Sequence, residues 1–94
     1  SPKDFKTKDV SKVSKTGTTK AKLTWTKLAG ANGYTVQYAT NKNFKNAKYV
    51  KVSKTTATIS GLKQGKTYYA RINAFVKVSG KKYFNNWYTV KIKM

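Results

Sequence analysis

Ninety-four residues suffice for one domain with a single modest core, and not for two. Twenty-one basic residues stand against two acidic ones, a formal net charge of +19, and every basic residue but Arg71 is a lysine. Histidine, cysteine and glutamate are absent, which removes disulfides, thiolate and imidazole metal ligands and the usual acid–base groups. Catalytic residues, cofactor-binding residues and metal ligands are accordingly expected to be none.

Residues 1–7 read as a flexible N-terminal arm, and residues 8–94 as the folded domain. The abrupt Ser1-Pro2 start suggests a unit cut from a longer parent chain, whose other domains would be its first partners. The first strand is expected over roughly residues 8–14, carrying Val10 and Val13. After a Thr16-Gly17 turn, Lys20–Thr26 alternates, placing Ala21, Leu23 and Trp25 inward and the lysines outward. A breaker-rich loop, residues 28–33, leads to Tyr34–Ala39, with Tyr34, Val36 and Tyr38 on one face. Residues 41–46 have turn composition, with Phe44 as a plug. Lys48–Lys54 forms a strand with Val50 and Val52 on one side and Tyr49 on the other. Thr55–Ser60 follows, with Ala57 and Ile59 inward.

The organising stretch is Gly61–Ala74. Gly61 and Gly65 make a tight corner around Leu62, and Tyr68, Ala70, Ile72 and Ala74 then recur at every second position of a long strand running to about Val78. Ser79-Gly80 signals a hairpin. A last strand carries Val90 and Ile92 on one face and Lys91 and Lys93 on the other. Seven short strands, regular turn signals and no helical period argue for an all-β, seven-stranded antiparallel sandwich of immunoglobulin-like type. No apolar stretch of about 18 residues is present to span a membrane.

Leu23-Thr24-Trp25, then Gly33-Tyr34-Thr35-Val36-Gln37-Tyr38, then Leu62, Gly65, Tyr68, Ala70, Ile72 and Ala74 at their spacings resemble a fibronectin type III domain. The resemblance runs from about Val10 to Lys93. It implies that Trp25 is a core residue and that the Tyr68 hydroxyl bonds backbone near the Leu62 corner. The closing segment, Val78–Tyr83 with Trp87, Val90 and Ile92, is similar to lysine-rich members in bacterial surface and secreted multi-domain proteins. That likeness implies a non-catalytic spacer or interaction module, extracellular or at the cell surface, and monomeric as an isolated domain. The Arg-Gly-Asp of some animal members is absent from the Ser79-Gly80 hairpin.

The expected core is Leu23, Trp25, Tyr34, Val36, Tyr38, Ile59, Leu62, Tyr68, Ala70, Ile72, Ala74, Val90 and Ile92. Trp87 is expected to close one open end of the sandwich. Most lysines alternate outward on strands, where they keep the surface wet and block edge pairing. A wet surface does not require one sign of charge, however, so a polyanion-binding face is also considered: Lys48, Lys51, Lys54, Arg71 and Lys77. Lysine point charges suit phosphate or sulfate polymers, including anionic cell-wall polymers and acidic polysaccharide. With a single arginine for bidentate base contacts, sequence-specific nucleic-acid recognition is disfavoured, and non-specific nucleic-acid binding ranks third. The second reading is a dedicated carbohydrate-binding module that stacks sugars on Trp87, Tyr69 and Tyr83, aided by Asn73, Asn85 and Asn86.

Overall fold

Period-two alternation becomes extended backbone throughout the computed structural model, which describes residues 3–10 and 12–94. The strands are β1 (Lys12–Lys15), β2 (Ala21–Thr24), β3 (Gly33–Ala39), β4 (Lys48–Val52), β5 (Thr56–Ile59), β6 (Thr67–Val78), β7 (Lys81–Phe84) and β8 (Tyr88–Lys93). One sheet runs β1-β2-β5; the other runs β4-β3-β6, with β7 and β8 sharing the far edge of β6. All pairings are antiparallel.

Eight strands appear where seven are expected because a bulge interrupts the last one. Phe75 faces Phe84 and Ile72 faces Tyr88, so Asn85, Asn86 and Trp87 stand opposite only Asn73 and Ala74. One extra residue reverses the facing of everything beyond it. Tyr88, Val90 and Ile92 therefore share the inward face of Ile72, Ala70 and Tyr68, while Lys82 and Phe84 face outward beside Lys77 and Phe75. The broken ladder is repaired locally: the Ala74 N–H donates to the Asn85 Oδ1 at 2.7 Å, and the Asn85 N–H donates to the Ala74 carbonyl at 3.1 Å.

The inward faces meet in one core. Leu23, Trp25, Tyr34, Val36, Ile59, Leu62, Tyr68, Ala70, Ile72, Ala74 and Ile92 are all buried, and Tyr38 and Val90 are half-buried against them. Trp25 meets the Tyr34 ring edge-on with centroids 5.4 Å apart, a favoured aromatic geometry. At the corner, Gly61 (φ 74°) and Gly65 (φ 85°) take left-handed backbone that any side chain would strain. Leu62 is thereby driven inward, and the Tyr68 hydroxyl accepts the Lys63 N–H at 2.8 Å.

Three boundaries differ from the sequence reading. The segment expected as a flexible arm is docked over residues 3–6, whereas Ser1 and Pro2 lie outside the described residues. Phe5 is buried in the core with its ring 6.3 Å from that of Tyr34, and Asn85 Nδ2 donates to the Lys3 carbonyl at 2.8 Å. The first strand, expected over 8–14, is confined to Lys12–Lys15, with Ser11 outside the described residues. A turn precedes it: the Asp9 N–H donates to the Lys6 carbonyl, and the Asp9 carboxylate accepts the Lys6 N–H at 2.7 Å. β4 ends at Val52, two residues short of Lys54.

Candidate ligand-binding surface

The outward face of the larger sheet is assembled by strand register. Gln37 lies between Tyr49 of β4 and Arg71 of β6, with Thr89 of β8 beyond Arg71. The row on one side is Lys51, Thr35 and Asn73; the row on the other is Ala39, Tyr69 and Lys91. The middle row is a hydrogen-bonded chain in which Arg71 Nε donates to Gln37 Oε1 and Gln37 Nε2 donates to the Tyr49 hydroxyl at 2.9 Å.

Two aromatic rings close over this chain. The Arg71 guanidinium carbon lies 4.2 Å from the Phe44 ring centroid and 4.6 Å from that of Trp87. Each contact is worth about 0.5–2 kcal/mol, more as water is excluded. Phe44 reaches this place because the 41–47 loop is tightly wound. Asn41 Oδ1 accepts the N–H groups of Asn43 and Lys45, Asn41 Nδ2 donates to the Lys45 carbonyl, and Phe44 and Asn46 take φ of 56°. Phe44 is thus a plug, as its sequence context implies, but it covers the outer face of the sheet and does not enter the core.

Trp87 does not cap the end of the sandwich. The bulge turns it onto the outer face, 37% exposed, where Arg71 occupies one side of its ring. Tyr69 shares that face, with Lys91 Nζ 5.8 Å from its ring. Tyr83 pairs with Val76, on the opposite facing, so the three aromatics proposed for sugar stacking do not form one platform. The asparagines are also committed or enclosed. Asn85 bonds Ala74 and Lys3, Asn86 bonds the Asp4 carboxylate through both its N–H and its Nδ2, and Asn73 is buried with an unpartnered Oδ1.

The five cations of the proposed polyanion face are likewise spread out. Lys51 projects on the outer face beside Thr35, and Arg71 is clamped one row away. Lys48 pairs with Tyr38, whose facing is inward, yet lies exposed at the strand's beginning; Lys54 follows the end of β4. Lys77 faces Lys82, six residues along β6 from Arg71, or roughly 20 Å at the usual strand rise. All nineteen lysines whose side chains are described are exposed. The two carboxylates, Asp4 and Asp9, accept hydrogen bonds from Asn86 and from the Lys6 backbone. Among the described residues no group of three or more His, Cys, Asp or Glu gathers to hold a metal.

Two antiparallel sheets enclosing one core, with a tyrosine pinned to the corner before the central strand, define an immunoglobulin-like β-sandwich. Within that class the chain belongs to the fibronectin type III domain family, whose model matches residues 7–91. Domains of this family are commonly non-catalytic modules of longer chains and are often extracellular. Solved structures agree on the fold. A structure described as a myokine superposes with a TM-score of 0.68 at 15% identity, covering 87% of this chain and 88% of that one. A computationally redesigned β-sandwich protein gives 0.68 at 20% identity, covering 86% and 81%. The fibronectin type III domain of human collagen α-1(XX) gives 0.66 at 19% identity, covering 86% and 78%. No curated protein sequence matches the chain. Among the described residues, no helix is long and apolar enough to cross a membrane.

Proposed function

We propose that the domain is a non-catalytic spacer and interaction module of an extracellular bacterial protein, whose basic surface favours anionic cell-wall or glycan polymers. The observation that carries this reading is the confinement of acid to Asp4 and Asp9, against exposed lysines on both sheets and in the loops. The domain measures 44 × 25 × 19 Å, and charges act over about 8–10 Å at physiological salt. A polyanion therefore meets a positive field from almost any direction.

The test is retention on immobilised dextran sulfate and on polyphosphate, with neutral dextran as control. Retention at about 50 mM salt, lost by about 0.3 M, supports the reading. Equal behaviour on charged and neutral matrices refutes it. The carbohydrate-binding alternative retains one favourable feature: Trp87 and Tyr69 share the outer face. It requires a neutral oligosaccharide to bind in high salt and to lose that binding in Trp87→Ala.

A further inference from the structure

We propose that the cleft between the 41–47 loop and the 60–66 corner is a site for a tetrahedral oxyanion, taking one phosphate- or sulfate-bearing unit of a polymer. The proposal rests on the polyanion reading above and gives it a location. The cleft has a volume of about 330 Å³, near the lower end of small-ligand sites, which span roughly 300–1,000 Å³. Lys45 and Lys48 stand on one wall, Lys63 and Lys66 on the other, and Tyr38, Leu62 and Tyr68 are among the residues between them. No carboxylate side chain lines it. Asp4 is bound to Asn86, opposite the other half of β6, roughly 20 Å away by strand rise.

Three features separate this cluster from the lysines elsewhere. First, it is concave: lysines that alternate along strands point away from one another into water, whereas these four border one space. Second, both walls are fixed. Asn41 ties the loop to itself, Phe44 anchors it against Arg71, and the corner is held by the Tyr68 hydroxyl and by the Leu62 N–H donating to the Thr19 carbonyl at 2.9 Å. Fixed walls reduce the ordering that binding would otherwise impose. Third, like charges on facing walls repel with no carboxylate side chain among the lining residues to offset them, and a bound anion relieves that repulsion.

Ligand chemistry follows from the residue type. Each ammonium is a point charge on a flexible stem with three rotatable donors, which adapts to a tetrahedral oxyanion; planar carboxylates are better matched by arginine. Thr40 and Ser60 line the same cleft, and a hydroxyl is a neutral donor.

Amide shifts during titration with inorganic tripolyphosphate, and in a parallel arm with a sulfated disaccharide, test the site. Two quadruple variants are compared: K45Q/K48Q/K63Q/K66Q, and K20Q/K22Q/K81Q/K82Q, which removes the same charge at exposed positions elsewhere. Thermal melts establish that both are folded. In the unmodified domain, shifts should concentrate on Ala39, Thr40, Leu62 and Tyr68. Affinity should fall at least about tenfold in the cleft variant and by less than about threefold in the control. The arm with the tighter binding identifies phosphate or sulfate as the preferred group. Equal losses in both variants, or shifts spread over all lysine-bearing strands, overturn the site while leaving general polyanion attraction intact. Absence of binding to either small anion by the unmodified domain, alongside retention on polyphosphate, also overturns the site. Absence of retention as well overturns the broader reading.

Discussion

Tyr68→Phe isolates one hydrogen bond. The ring is 7% exposed, and a phenylalanine preserves its apolar contacts with the core. Only the hydroxyl that accepts the Lys63 N–H at 2.8 Å is lost. An ordinary bond contributes about 0.5–1.5 kcal/mol net, and a buried donor left without a partner costs about 1–3. The bond is part-buried and the Lys63 side chain is exposed, so water can reach some of the orphaned donor. The expected loss is therefore about 1–2 kcal/mol, or roughly 5–12 °C in Tm for a domain of this size. Urea unfolding at 25 °C measures it, with an unchanged slope showing that the unfolded state is not altered. Tyr83→Phe is the control: Tyr83 is 41% exposed, and its change should lie within about 0.5 kcal/mol of zero. If the two variants unfold alike, the tyrosine does not pin the corner and that part of the reasoning fails.

Phe5→Ala should destabilise by about 2–4 kcal/mol in the same assay, although Phe5 precedes the family match; an effect near zero would mean that residues 3–6 do not dock. Arg71→Lys keeps the charge but loses the flat guanidinium between two rings. It should cost about 1 kcal/mol and broaden the Phe44 resonances, and a neutral result would reduce the stack to coincidence. Gly33→Ala sets two terms in opposition. A Cβ there would lie 2.7 Å from Phe75 Cε1, forcing a half-buried ring aside at about 1–3 kcal/mol. The stiffer unfolded chain returns only about 0.4–1. Net destabilisation is expected, and a more stable variant would show that the Phe75 ring moves freely.

The inward faces of β3 and β6 are legible in the sequence because alternation states them directly. The corner is legible because glycine takes the left-handed backbone at Gly61 and Gly65 without the strain a side chain would add. The bulge is not. Asn85, Asn86 and Trp87 carry no signal that one of three residues will lack a partner, and Phe84 and Tyr88 have the same parity in sequence yet opposite facings in the sheet. Phe5 is hidden for a related reason: one apolar residue among polar neighbours has no period to betray it. The lysine-lined cleft lies beyond local pattern altogether. Lys45 and Lys63 are separated by two strands and meet only because the β3–β4 loop and the β5–β6 corner emerge at one end of the sandwich. Even the arginine, conspicuous by composition, gives no hint that its partners are Phe44 and Trp87.

The two tryptophans occupy opposite optical environments. Trp25 is sealed in the core at 2% exposure, whereas Trp87 lies against a cation at 37%. Ultraviolet-excited emission from the domain is therefore a two-channel signal: a blue component that persists until the sheets separate, and a redder one sensitive to whether Phe44 and its loop remain seated. A red-channel change with the blue channel steady would register loosening of the 41–47 loop alone, with no label added. Replacing Trp25 or Trp87 with phenylalanine, one at a time, assigns the channels.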